Sequence, residues 1–371
     1  MIITILFYIF VVAVSIQIIY YILLSTFAFS KTENTIPAKQ NNPVSVIVYA
    51  KNKAQDLQKF IPCIINQNYS NFEILIVNNA STDTTLEVIE NFQKHNTNIT
   101  LIDVENNETF WGNKKYAITL GIKAAKNPYL IFTEADCKPV SKNWIAQLMG
   151  RFSEEKQIVL GYVTYPFKNY SFFNLVLHFD SLLNAIQCFA STKLGYPYKG
   201  MSKNIAYTKS EFFKAKGYVN HIKIYSGDND FFIQDAATNT NTTFCASAES
   251  FVYSNPPKSF KLWLLEKSRQ FIGCKNYYKT KHRFFIGLIY WSKLVFYLLS
   301  IILLFLFDSK IIISFIGLYY LINWIVIGLS AKKLKETKLL ILLPFLDIIL
   351  LLIHFTIFIT AKKISKSTTW E

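Results

Sequence analysis

Residues 1–30 contain no charged side chain, and no lysine or arginine precedes the apolar run that fills them. That absence argues against a secretory signal peptide, which carries a positive segment ahead of a shorter apolar core. The run over 2–29 exceeds the roughly 20 apolar residues that cross a bilayer, so it reads as a membrane anchor. Paired cysteine spacing is also missing. Cys63, Cys137, Cys188, Cys245 and Cys274 stand far apart, which excludes the zinc and CxxC redox patterns and suits reduced thiols on the cytosolic side. Finally, no nucleic-acid motif accompanies the basic excess, 39 Lys and Arg against 24 Asp and Glu for a net charge of +15. A basic excess suits nucleic acid, anionic lipid or anionic substrates; with membrane runs in the same chain, lipid is the simpler partner, and no nucleic acid is expected.

What is present divides the 371 residues into segments. A transmembrane helix is expected over 1–30, then a polar linker over 31–42 that carries Pro37. A soluble domain follows over 43–256. Residues 257–283 are basic and aromatic (Trp263, Lys267, Arg269, Phe271, Lys275, Tyr277, Tyr278), a pattern for a helix at a membrane surface. Apolar runs at 284–307 and 311–329 form a hairpin, because only three residues separate them. The last run, 339–360, holds Pro344, Asp347 and His354 and is either spanning or re-entrant. Lys293 is expected to snorkel to the interface, and Asp347 and His354 to pack against a neighbouring helix. The basic loops 31–39, 279–283 and 332–338 predict a multi-pass inner-membrane protein with a cytosolic catalytic domain. Four spans, however, would set the basic tail at 362–366 on the opposite side.

Inside the soluble domain, strands and helices alternate. Apolar, β-branched runs at 44–49, 73–77, 99–104 and 129–133 read as strands, and 54–66 has helical periodicity in Leu57, Phe60, Ile61, Ile64 and Ile65. The turn over 78–83 caps a helix starting near Thr84, and 114–126 is a further helix. This order predicts an α/β fold, a mostly parallel sheet with flanking helices, whose ligands bind beyond the carboxyl ends of the strands. Three polar groups lie there: Ala50-Lys51-Asn52, Asn78-Asn79 and Glu134-Ala135-Asp136. Glu134 and Asp136 point to the same side of a strand end, where two carboxylates suit one hard divalent cation, with phosphate oxygens completing its shell. Residues 144–152 and 172–190 read as helices and 195–201 as a loop. Ser226-Gly227-Asp228-Asn229-Asp230 is an acidic turn opening an apolar helix over 231–236.

These segments together resemble the family 2 glycosyltransferases of the inverting GT-A fold, in a membrane-anchored bacterial form. The resemblance covers roughly residues 43–278. Its residues are the 44–52 strand and loop, the 67–83 segment ending in Asn78-Asn79-Ala80-Ser81-Thr82-Asp83, Lys114, Ala117 and Gly121 on a helix, Glu134-Ala135-Asp136 in the place of a D-x-D, Gly227-Asp228-Asn229-Asp230, and Glu266 to Gln270 in the place of Q-x-x-R-W. It implies a nucleotide-diphosphate sugar donor held by Tyr49, Ala50, Asn52 and Asn79. It also implies Glu134 on ribose or metal, and Asp136 on a divalent cation, Mg2+ or Mn2+. Asp228 would be the general base, and Asp230 an acceptor contact or helix cap. Lys114 and Arg269 are candidates for the diphosphate charge. The chain departs from the pattern at Asn78-Asn79, where an Asp is usual, at Glu134 for Asp, and at Glu266 and Gln270.

The function expected from this reading is a membrane-bound glycosyltransferase acting on a lipid-linked or surface-glycan acceptor by single displacement, for cell-surface polysaccharide biosynthesis. A processive polysaccharide synthase of the same fold is the alternative; it would want an intact Q-x-x-R-W, which Gln270 breaks. A non-catalytic membrane scaffold would have lost the acidic motifs, and both are present.

Overall fold

The structure, a computed structural model, describes residues 1–31, 41–105, 113–222, 224 and 228–367, with Asp228, Asn229, Asn276 and 361–367 described by their backbone alone. Most of the 31–42 linker, and Ser226 and Gly227 of the acidic turn, therefore lie outside the described residues. Among the described residues ten strands are formed: β1 Val44–Ala50, β2 Phe72–Asn79, β3 Ile99–Val104, β4 Tyr129–Glu134, β5 Cys137–Pro139, β6 Ile158–Leu160, β7 Val163–Thr164, β8 Ile205–Thr208, β9 Thr242–Phe244 and β10 Val252–Ser254. The helices are α1 Ile2–Ala28, α2 Ala54–Ile65, α3 Thr85–His95, α4 Lys114–Ala124, α5 Trp144–Met149, α6 Phe172–Lys193, α7 Lys209–Lys214, α8 Asp228–Ala236, α9 Phe260–Tyr277, α10 Thr280–Leu306, α11 Ser309–Lys333 and α12 Leu343–Ser367. They fall into two compact units. Met1–Lys31, Asn169–Leu194 and Phe260–Glu371 form one, and Thr32–Lys168 with Gly195–Ser259 the other. Helix α6, expected within the soluble domain, thus clusters with the apolar helices.

The second unit is the predicted α/β fold. Its seven-stranded sheet runs β3-β2-β1-β4-β8-β6-β9. β3, β2, β1 and β4 are mutually parallel, and β8 is antiparallel to both β4 and β6. The inner strands are apolar on both faces because both faces are covered: Val44, Val46, Ile47 and Val48 of β1 and Ile74, Leu75, Ile76 and Val77 of β2 are buried. Leu57, Ile61 and Ile64 of α2 join this core, with Trp144, Ile145 and Leu148 of α5. A smaller sheet, β5-β10-β7, stands apart. Neither its strands nor β8 was expected, since two to four residues carry no readable period.

Helix α4 lies close to the sheet through Gly121. A Cβ there would meet Val77 Cγ2 at 2.7 Å and Ile47 Cγ2 at 3.4 Å. Both neighbours are β-branched core side chains with little freedom to yield. Alanine gains up to about 1 kcal/mol of helix propensity over glycine, but overpacking costs about 1–3 kcal/mol. Gly121→Ala should therefore lower the midpoint of thermal unfolding by about 2–4 °C. An unchanged or raised midpoint would mean that the helix shifts at no cost.

Among its described residues, the other unit holds four helices long and apolar enough to cross a membrane: Ile2–Ala28, Thr280–Leu306, Ser309–Lys333 and Thr337–Thr360. The second apolar run accordingly begins four residues earlier than its expected start at 284, and the fourth runs into α12 through a 3-10 turn, Thr337–Leu342. Phe305, Ile313 and Ile341 are more than half exposed, as lipid-facing side chains are. Lys293 does not snorkel. It is buried and paired with Asp347 Oδ1, while Tyr297 and Tyr319 each donate a hydroxyl to Asp347 Oδ2 at 2.8 Å. Pairing wins because a partnered charge inside the bundle avoids the cost of carrying a lone one through hydrocarbon. His354 reaches Asp180 on α6, Nε2 to Oδ1 at 3.7 Å, so the packed arrangement expected of Asp347 and His354 is the one observed.

Candidate functional site

The carboxyl ends of β1, β2 and β4 lie side by side in the α/β unit. Ala50 is in register with Asn78, and Tyr49 with Glu134. The strand order reverses between β1 and β4, where such sheets open a ligand crevice.

Two residues from the ends of β1 and β2 are tied together there. Asn79, 2% exposed, donates Nδ2–H to the Tyr49 hydroxyl at 2.9 Å. Its neighbour Asn78 donates to Asp103 Oδ1 at 2.7 Å, leaving its own buried Oδ1 without a hydrogen-bond partner among the described residues. Asn52 has φ 53°, a left-handed conformation that asparagine tolerates better than most residues. It joins the loop after β1 to the loop after β2. Its backbone N–H donates to Ser81 Oγ at 2.9 Å, and its Oδ1 accepts from Thr82 N–H at 2.8 Å. Asp83, just ahead of α3, accepts from the N–H of its first residue, Thr85, at 3.0 Å.

The acidic pair is surrounded by lysines. Lys114, in the first turn of α4, holds Glu134 Oε1 at 2.5 Å, with its ammonium 5.2 Å from the Tyr49 ring centroid. Lys203 contacts Asp136 Oδ1 and Oδ2, both at 3.0 Å, and Glu134 Oε2 at 3.3 Å. Lys53 stands 3.7 Å from Asp136 Oδ2 and 3.2 Å from Asp56 Oδ2. Burial alone would raise the Glu134 carboxyl, but the Lys114 and Lys203 ammonium groups overcome it and hold it at about 2. Burial would likewise lower the Lys203 ammonium, and the Glu134 and Asp136 carboxylates instead raise it well above the usual lysine value. Glu134 and Lys203 therefore face each other as opposite charges at neutral pH. Burial pushes the neighbouring Cys137 thiol up, so it stays protonated.

Helix α8 begins at Asp228, three residues before the apolar stretch expected to start it. The Asp228 side chain lies outside the described residues. Asp230 accepts from Gly200 N–H at 3.0 Å, anchoring the loop before β8. Arg269 lies on α9, in the other unit.

Sequence reasoning missed Lys53, Lys203 and Lys115. Lys115 is 1% exposed, and its ammonium donates to the carbonyls of His221 at 3.0 Å and Ile224 at 2.5 Å. With the Asn113 amide on Ile222 O at 2.7 Å, it fixes the backbone at His221, Ile222 and Ile224. Nothing marks these lysines among 39 basic residues. The one available signal for Lys115, its place beside Lys114 at a helix start, does not separate a buried from a solvated side chain.

The profile of glycosyl transferase family 2 matches residues 45–228. An uncharacterized glycosyltransferase of Haemophilus influenzae is 34% identical over 116 residues, 31% of this chain and 34% of that protein. Glycosyltransferase GlyG of Streptococcus pneumoniae is 29% identical over 119 residues, 32% of this chain and 38% of its own length. The chain thus spans little more than a third of these curated relatives. Among solved structures, a mannosyltransferase from Pyrobaculum calidifontis in complex with GDP-Man and Mn2+ aligns over 95% of this chain and 99% of that one. Its TM-score is 0.58 at 12% identity, a likeness of fold.

Proposed function

Residues 45–228 make this chain a member of glycosyl transferase family 2, and from that premise we propose a membrane-bound, inverting enzyme that moves one sugar from a nucleotide-diphosphate donor to a glycolipid or surface-glycan acceptor. The observation that carries this reading is the meeting, at the ends of β1, β2 and β4, of an aromatic–amide pair with two carboxylates and three lysines. Tyr49, Ala50, Asn52 and Asn79 hold the base and ribose. Lys114, Lys53 and Lys203 offset the charge of the diphosphate.

A divalent cation, Mg2+ or Mn2+, belongs to this reading, and the P. calidifontis relative holds Mn2+. The donor set fits in part. Glu134 and Asp136 are hard oxygen ligands, but no group of three or more His, Cys, Asp or Glu side chains converges among the described residues. Diphosphate oxygens and water must complete the shell. A bound cation supplies positive charge to the leaving diphosphate. The chain's own residues do the rest. The lysines orient the donor, and Asp228 takes the proton from the acceptor hydroxyl as that oxygen attacks.

We place the catalytic domain in the cytosol of an inner-membrane protein, on the strength of the basic loops at 279–283 and 332–338. The test incubates the full chain in detergent with a panel of UDP- and GDP-sugars, Mg2+ or Mn2+, and a lipid extract as acceptor. Release of nucleoside diphosphate with a single-sugar product is the expected result. A long polymer would favour the processive alternative, and no turnover of any donor would sink the enzymatic reading.

A further inference from the structure

The α/β unit supplies its own cation to the acidic pair. Lys203 stands between two residues that it bridges, with four oxygens within reach: both of Asp136 at 3.0 Å, Glu134 Oε2 at 3.3 Å and Ser254 Oγ at 2.8 Å. The carboxylate oxygens are the ones a divalent cation would take.

The chain carrying Lys203 is rigid at its root. The next residue, Asn204, is wholly buried. Its Nδ2 donates to the carbonyls of Tyr162 and Ser250, each at 2.8 Å, and its Oδ1 accepts from Trp144 Nε1–H at 3.0 Å. Beyond that fixed point Lys203 has a flexible four-carbon stem. The backbone can stay in place while the ammonium moves.

We infer that Lys203 is a place-holding counter-ion, which occupies the cation position between Glu134 and Asp136 and yields it when a divalent cation arrives with the donor diphosphate. This rests on the divalent-cation reading given above. An ammonium and a divalent cation repel strongly at contact distance and cannot share the same oxygens. The arriving diphosphate removes the conflict, because it offers the displaced ammonium new anionic oxygens. Two consequences follow. Without nucleotide the acidic pair does not leave two buried carboxylates uncompensated, and free metal finds the site already filled. Cation and diphosphate affinities are then coupled through one side chain, each raising the other.

The experiment measures Mn2+ binding to the full chain in detergent by the loss of the free-ion electron paramagnetic resonance signal, without turnover. Wild-type, Lys203→Met and Lys203→Gln proteins are compared, alone and with UDP or GDP. Wild type should bind Mn2+ weakly alone and at least about tenfold more tightly with nucleotide, the scale of one contact charge removed. Both variants should bind Mn2+ alone at least about tenfold more tightly than wild type, and nucleotide should add much less. Thermal melting confirms that each variant is folded, and two neutral side chains of different polarity guard against one that is not. Equal Mn2+ affinity of wild type and folded variants without nucleotide overturns the place-holding role. Failure of wild type to bind Mn2+ even with UDP or GDP instead overturns the divalent-cation reading on which it rests.

Discussion

Asp228→Asn protein should fold, bind donor and bind Mn2+ normally, yet turn over at least about 100-fold more slowly than wild type, the range expected when a general base is removed. Asp228 is the first residue of α8. A helix N-terminus favours the ionised carboxylate by ~0.3–1 kcal/mol, which keeps the group ready to accept a proton at neutral pH. The competing role for an aspartate here is to cap the helix, and a cap needs only an acceptor oxygen, which asparagine retains. Asparagine cannot take a proton. The substitution therefore separates the two roles: a cap would survive it and a base would not. Asp230 is the internal control. Its Oδ1 accepts from Gly200 N–H, a bond that Asp230→Asn preserves, so that variant should keep most of its activity. Initial rates at saturating donor, with donor affinity from thermal shift, make the comparison. Near-normal turnover by Asp228→Asn beside a dead Asp230→Asn would move the base two residues on.

The second large effect is expected at Asp136. Asp136→Ala should lose transfer by at least about 100-fold, as when a group that stabilises transition-state charge is deleted, and should lose the metal stimulation of nucleotide binding. Asp136 is 8% exposed and carries two lysines, Lys203 and Lys53. Removing it frees both to meet the diphosphate directly. Nucleotide binding should then persist in the variant but become indifferent to EDTA, whereas simple collapse of the site would abolish it. Glu134→Ala should weaken both properties less, because Asp136 remains as a cation ligand. If EDTA leaves wild-type activity intact, the assignment of Asp136 to a divalent cation is wrong.

Part of the fold and site is legible along the chain, for a physical reason. A parallel strand buried on both faces must be apolar throughout, and a helix against it must repeat its apolar residues every three or four positions. Residues 44–50, 54–65, 72–79 and 129–134 obey those rules, so their types and order can be read without coordinates. So can the position of Glu134 and Asp136 at a strand end, and the length of the four apolar runs. The short strands obey no such rule. β8 has four residues and β5 three, and they exist because the neighbouring edges of β4 and β10 offer unpaired backbone groups.

The amino-acid sequence by itself determined the α/β alternation, the membrane-length helices and the acidic residues at the end of β4, because each follows from local periodicity or local composition. Only the tertiary structure decided which charges meet. Insertion of β8 antiparallel beside β4 brings Lys203 onto Asp136 across 67 residues. Packing of α10 against α12 puts Lys293 on Asp347 across 54. Lys115 turns inward to the carbonyls of His221 and Ile224, while Lys114 beside it turns to Glu134. A charge does not encode its partner. The Coulomb interaction depends on distance and burial, and for residues this far apart in the chain the fold alone sets both.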